Sequence, residues 1–272
     1  MSNLAQRTLT ALVAATVAIG AVWAGGWVFG VVMTAIALAA QAEVYNLLRK
    51  AGTRPFVGLG LALGALAALR PLLPVSPRLL VLGGLAVLVG ALYTRKETPL
   101  LDAAGTLFGV AYPAALVGSI IALRVADVPW MAGLDAFWLT TATLFCVWGA
   151  DTFAYFAGRA FGRRPLFARV SPKKTWEGAV GGALGALVVA AGFKLAVLDD
   201  VLQWVDVVAI GLACGVASQF GDLVESHFKR SVDVKDSATW LPGHGGLLDR
   251  IDAAVVAVPL VVLYLDWVKG IG

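Results

Sequence analysis

The sequence predicts an all-α, polytopic integral membrane protein of about nine transmembrane helices, with two polar loops in its C-terminal half. Three observations predict it. Hydrophobic residues make up 60% of the 272 and charged residues only 14%, where a soluble domain carries about 25% charged residues. Apolar runs recur at lengths near the ~20 residues that a helix needs to cross a bilayer. Charge is much denser in two short segments, 159–178 and 218–252, than along the rest of the chain.

Taken in order, the first spans are expected at 8–24 and 27–48, broken at Gly25-Gly26, where a reversal is cheap. Residues 56–70 and 78–93 follow, separated by the Arg70-Pro71 to Pro77 stretch; the first is short and Gly-rich. Further spans are expected at about 102–123, 135–158, 177–198, 205–225 and 252–268. The early spans are rich in Ala, Leu, Val and Gly, which suits scaffold helices that approach one another closely. The expected organisation is one integral membrane domain over 1–272, with 1–100 mainly scaffold and 145–255 the catalytic half. The first apolar run leads straight into the second without a convincing cleavage site, so no signal peptide is expected. Cys146 and Cys214 sit singly in apolar runs and read as small packed hydrophobes.

Placing the N-terminus in the cytoplasm puts sixteen of the 21 basic residues inside, in accord with the positive-inside rule. Both polar segments then face the cytoplasm, and the expected location is the cell inner (cytoplasmic) membrane.

The chemistry concentrates in SQFGDLVESHFKRSVDVKDSATWLPGHGGLLDRID, residues 218–252. Ser218, Asp222, Glu225 and Lys229 recur at i, i+4, i+7 and i+11, along one helix face. Charge at membrane depth costs at least ~2.5 kcal/mol and needs a partner or a wet cavity. Two carboxylates on one face repel unless a cation sits between them. Lys229 is one candidate cation; a divalent metal is the other. Hard oxygen ligands suit Mg²⁺, which takes one or two carboxylates and leaves its other positions to water and phosphate. Asp222 and Asp249 are the expected direct ligands. Glu43 and Asp151 are the other intramembrane carboxylates; for Glu43 the plainer expectation is pairing near Arg49 and Lys50.

Leu241-Pro242-Gly243-His244-Gly245-Gly246 reads either as a plain turn or as an anion cradle, since its glycines let backbone N–H groups converge. His244 favours the cradle, because an imidazole can donate to a phosphate; His227 reads as structural. Zinc is not expected from two histidines and two isolated cysteines. In SPKKTWEG, 171–178, Ser171-Pro172 makes a turn, Thr175 can cap the next helix, and Lys173 and Lys174 offer point charges for phosphate. The same lysines, with Arg163 and Arg164, could bind headgroups without specificity. Asp151, Tyr155 and Arg159 stand at i, i+4 and i+8, down one face toward this loop. Together these features point to phosphoryl or nucleotidyl transfer onto a membrane lipid.

The run Ser226-x-Phe228-Lys229-Arg230, Lys235-Asp236, Leu241-Pro242-x-His244-Gly245-Gly246 and Asp249-Arg250-Ile251-Asp252 resembles the signature of the phosphatidate cytidylyltransferase (CDP-diacylglycerol synthase) family. Upstream, SPKKTWEG, GDLVES and the D-T-x-A-Y that begins at Asp151 resemble the same family. Ala238 stands where relatives often carry glycine, and Ser237-Ala238-Thr239-Trp240 is less typical.

The resemblance implies that CTP and phosphatidic acid give CDP-diacylglycerol and pyrophosphate, with Mg²⁺ required and a second, monovalent cation left open. It implies catalytic roles for Asp222, Asp249, Lys229 and His244. It implies substrate binding by Ser171, Lys173, Lys174, Arg230, Lys235, Asp236, Gly245, Gly246, Arg250 and Asp151, with Asp236 and Asp252 behind the metal ligands. A homodimer follows from the resemblance alone, membrane lipid is the expected surrounding partner, and nucleic acid is not an expected partner. The competing readings are a CTP-dependent polyprenol kinase, a transporter lined by Glu43, Asp151 and Asp222, and a non-catalytic scaffold.

Overall fold

The computed structural model describes residues 15–93, 98–238 and 245–270. Helices occur close to where the apolar runs predict them: α1 (Ala15–Ala24), α2 (Gly26–Lys50), α3 (Val57–Leu69), α4 (Arg78–Leu92), α5 (Pro99–Gly109), α6 (Leu116–Val125), α7 (Asp135–Phe161), α8 (Trp176–Val197), α9 (Trp204–Leu212), α10 (Ser218–Ser231) and α11 (Leu248–Lys269). The break after α1 falls at Gly25 and Gly26, both at positive φ. Helices α5 and α6 are joined through a π-helical stretch, Val110–Ala115, that contains Pro113, a residue with no N–H to give the helical ladder. A second π-helical stretch, Ala213–Ala217, joins α9 to α10.

Five helical rods among the described residues are long and apolar enough to cross a membrane: Gly26–Lys50, Pro99–Val125, Trp176–Val197, Trp204–Ser231 and Leu248–Lys269. Ala15–Ala24, Val57–Leu72 and Arg78–Leu92 are apolar but shorter. Helix α7 has the length, 27 residues, but not the apolarity, because Asp135, Asp151, Arg159 and several threonines punctuate it. Trp23, Leu82, Val188 and Leu263, among other large hydrophobics on these helices, lie exposed, as lipid-facing surfaces require. The chain is a helical integral membrane protein.

The all-α expectation needs one correction. The 159–178 segment holds a two-stranded antiparallel hairpin, β1 (Pro165–Phe167) and β2 (Ser171–Thr175), with Pro165 opposite Thr175 and Phe167 opposite Ser171. Its strands, PLF and SPKKT, are too short and too mixed in polarity to leave a period-2 pattern.

Compactness divides the chain into two units. The first comprises 1–121 and 228–250, the second 122–227 and 251–272, so the expected catalytic half is shared between them. In the first unit, Gln41 on α2 donates to the Tyr45 hydroxyl (2.7 Å) and to the Gly60 carbonyl (2.8 Å), and Tyr45 donates to the Thr106 carbonyl (2.9 Å). These bonds tie α2, α3 and α5 through buried polar groups that lipid could not satisfy. In the second unit α7 packs along α8. A Cβ at Gly182 would meet the Ala150 carbonyl at 2.8 Å, so only glycine permits that approach.

Candidate active site

In the second unit, a pocket of about 400 Å³ is lined by α7, the end of β2, the start of α8 and α10. Asp151, Tyr155 and Arg159 come from one face of α7, as their spacing predicts, and Lys173, Lys174 and Thr175 come from the hairpin. Ala154, Gly158, Gly178 and Ala179 form its small-residue wall; Gln219 and Asp222 complete it. Thr175 caps α8, its hydroxyl accepting from the Gly178 N–H (3.1 Å), as expected for a threonine at that position. Glu177 accepts the backbone N–H groups of Arg163 (3.1 Å) and Arg164 (3.3 Å), which latches the hairpin to the head of α8.

Lys174 forms an ion pair with Asp222 at 2.6 Å, with side-chain exposures of 25% and 35%. Ser226 donates to the other Asp222 oxygen at 3.1 Å. The cation beside Asp222 is therefore Lys174 from the hairpin, while Lys229, about two turns along the same helix, pairs with Asp249. Lys173 and Arg159 are exposed at the same pocket. A cleft with three cations, two carboxylates and an apolar wall suits a polyanion whose tail stays in lipid.

In the first unit a second charged cluster has a different character. Asp249, in the first turn of α11, has a side chain only 5% exposed and is paired with Lys229. Its Oδ2 accepts the Gly246 N–H (2.7 Å), the Ser237 N–H (3.1 Å) and the Ser237 hydroxyl contact (2.8 Å). Glu43, fully buried, accepts from the Leu247 N–H (2.9 Å) and the Leu248 N–H (3.0 Å), and lies 2.6 Å from the Ser237 hydroxyl. The expected local pairing of Glu43 with Arg49 and Lys50 gives way to this contact with residues some 200 positions on. The backbone amides of Gly246, Leu247 and Leu248 point at carboxylates of the chain itself, Gly246 at Asp249 and the two leucines at Glu43. Phe228 of the signature packs edge-on against Phe108 (5.6 Å) and Tyr112 (5.9 Å).

The remaining expected residues fall outside these two centres or at their edges. Ser171 pairs with Phe167 in the hairpin and does not line the pocket. Arg230 donates to the Val234 carbonyl (3.0 Å) on an exposed surface, and Lys235, Asp236 and Arg250 are exposed. Gly245 has φ +77°, a conformation that favours glycine. Asp252 accepts the Ala253 N–H at 2.7 Å. His244 lies outside the described residues, while His227 is exposed at the end of α10. Among the described residues no group of three or more His, Cys, Asp or Glu side chains gathers to hold a metal.

Sequence reasoning passed over Gln219, Ser237 and Glu177. Gln219 donates to the carbonyls of Ala179 (2.9 Å) and Gly215 (2.7 Å); its place one turn before Asp222 was the available signal. Ser237 follows Lys235-Asp236 directly, and only the fold gives its hydroxyl two carboxylates.

The fold defines a helical membrane protein with a pocket lined by Arg159, Lys173 and Lys174. Comparison with known proteins adds the family. The profile of the cytidylyltransferase family matches residues 5–268, and the chain belongs to that family. It is 37% identical to the phosphatidate cytidylyltransferase of Brucella abortus, over 97% of this chain and 94% of that protein. Against the phosphatidate cytidylyltransferase of Synechocystis the identity is 30%, over 96% of each chain. It is also 34% identical to the chloroplastic phosphatidate cytidylyltransferase 5 of Arabidopsis thaliana, over 87% of this chain and 65% of the plant protein's length.

Proposed function

We infer that this chain is a phosphatidate cytidylyltransferase, a nucleotidyltransferase that joins the cytidylyl group of CTP to phosphatidic acid in phospholipid biosynthesis. The observation that carries the reading is the pocket of Asp151, Arg159, Lys173, Lys174 and Asp222 in a chain of this family. A phosphate oxygen of phosphatidate attacks the α-phosphorus of CTP, forming a new P–O bond. The bond to the β-phosphate bridging oxygen breaks, and pyrophosphate leaves with its electron pair. The attacking oxygen is already an anion near neutral pH, so no strong base is required, and the protein acts by positioning and by offsetting charge. Lys173, Lys174 and Arg159 meet the phosphates, and the apolar wall lets the acyl chains remain in lipid.

Asp222 and Asp249 are the carboxylates we assign to Mg²⁺. Asp222 fits a hard cation well: it is partly exposed and, among the described residues, is met by the Lys174 ammonium and the Ser226 hydroxyl. Asp249 fits through Oδ1 alone, since Oδ2 already receives two backbone amides and the Ser237 hydroxyl contact. Asp222 and Asp249 would each hold the metal with a carboxylate oxygen that otherwise pairs with a lysine. A bound Mg²⁺ supplies positive charge to the triphosphate and the departing pyrophosphate, and a monovalent ion beside it is part of the proposal. So are His244, Gly245 and Gly246 as phosphate contacts, and Ser171, Arg230, Lys235, Asp236 and Arg250 as outlying substrate contacts. We further propose nine membrane crossings, an N-terminus and polar loops in the cytoplasm, residence in the inner membrane and a homodimeric state.

The test uses purified protein in detergent with phosphatidate and CTP carrying separate labels in the cytosine and the γ-phosphate. The cytosine label should enter the lipid and the γ-label should leave as pyrophosphate. Lipid that gains only the γ-label would instead mark a kinase. Uptake without lipid labelling would mark a transporter.

A further inference from the structure

We propose that Glu43 is a positioning residue of the reaction, acting on Asp249 through Ser237 and through the first turn of α11. The inference rests on the reading of Asp249 as a working carboxylate. Glu43 lies on α2, among helices whose composition reads as scaffold, yet its carboxylate is fully buried. It receives two successive backbone amides, Leu247 at 2.9 Å and Leu248 at 3.0 Å. Those amides belong to the opening of α11, where donors lack a partner within the helix and the dipole favours an anion. A carboxylate from another helix thus does the work that a local capping side chain does elsewhere.

The second half of the argument is the shared hydroxyl. Ser237 Oγ lies 2.6 Å from Glu43 Oε2 and 2.8 Å from Asp249 Oδ2. It therefore links the two side chains directly, while the Ser237 N–H holds Asp249 from the backbone at 3.1 Å. Gly246 makes the junction feasible: a Cβ there would overlap both the Ser237 hydroxyl and the Glu43 carboxylate. Moving Glu43 shifts the serine, the start of α11 and hence the orientation of Asp249 toward whatever it binds. Partners of this kind orient groups that hold metals or substrates, and losing one typically costs about 10- to 100-fold in affinity or activity.

Two variants test this in the full-length protein: Glu43→Gln, which keeps shape but places an NH₂ group against donors, and Ser237→Ala, which removes only the bridge. Amide hydrogen exchange over 245–250 reads the anchor, and steady-state kinetics with a Mg²⁺ titration read the positioning. For Glu43→Gln we expect faster exchange at Leu247 and Leu248, kcat lower by about 10- to 100-fold, a higher Mg²⁺ requirement and an unchanged KM for phosphatidate. Ser237→Ala should keep the amide protection yet shift kcat and the Mg²⁺ requirement in the same direction. The double variant should be no worse than Glu43→Gln alone, as coupled residues behave. Faster exchange with wild-type kcat and Mg²⁺ dependence would overturn the positioning role and leave a purely structural cap. Unchanged exchange in Glu43→Gln would overturn the anchor itself. A wild-type protein without cytidylyl transfer would instead sink the proposed function, and the exchange data would still decide the anchor.

Discussion

The chain carries two lysine–aspartate pairs in its two compact units, and they differ in almost every physical respect. Lys174–Asp222 is partly exposed at 25% and 35% and lines a cleft with further cations. Lys229–Asp249 is 11% and 5% exposed, and Asp249 is surrounded by amides and a hydroxyl contact. An exposed ion pair contributes little, about 0–1 kcal/mol, and is easily exchanged for another ligand. A buried pair is different, because removing one partner leaves an uncompensated charge. The comparison teaches that a lysine can serve as a replaceable counter-ion at one aspartate and as a buried, stabilising partner at another.

The sharpest way to break this comparison is to remove the carboxylates. Asp222→Ala and Asp249→Ala should each abolish turnover, a loss beyond the ~10- to 100-fold expected of an outer partner, while protein still accumulates in the membrane. A variant that keeps a near-wild-type rate at every Mg²⁺ concentration would refute its metal assignment. Next in size is the contrast between the lysines. Lys229→Ala should destabilise the protein by about 3–5 kcal/mol, seen as a large fall in thermal midpoint in detergent. Lys174→Ala should change stability by no more than about 1 kcal/mol and instead raise the KM for an anionic substrate. The smallest effect is expected from Ser171→Ala, on the hairpin and off the pocket wall, with stability within about 0.5 kcal/mol of wild type, kcat unchanged and only a small rise in KM from the loss of an outlying substrate contact.

Local spacing made part of this legible in advance. Apolar windows located the helices because a membrane span is long and chemically uniform, and Gly25-Gly26 marked a real break. The i, i+4, i+8 spacing of Asp151, Tyr155 and Arg159 put them on one pocket wall, and Thr175 read correctly as a cap. The hairpin escaped notice because three- and five-residue strands of mixed polarity carry no periodic signal. The partners of Lys229 and Glu43 escaped for another reason. Helical spacing counts only neighbours on the same helix, whereas Lys229 meets Asp249 20 residues on and Glu43 meets Leu247 204 residues on. Long-range contacts between buried charges leave no local pattern; only the expense of burying Glu43 hinted that a partner had to exist.

The most direct test of the central claim, that Lys174 of the open pair faces substrate while Lys229 of the sealed pair only holds Asp249 in place, is a lysine footprint. Purified protein is treated briefly with an amine-acylating reagent, with and without CTP and phosphatidate, and modification is read residue by residue by mass spectrometry. Lys173 and Lys174 should react readily and be protected when substrate is present, and Lys229 should react slowly in both conditions. A fast-reacting Lys229, or Lys173 and Lys174 that substrate leaves unprotected, would contradict it.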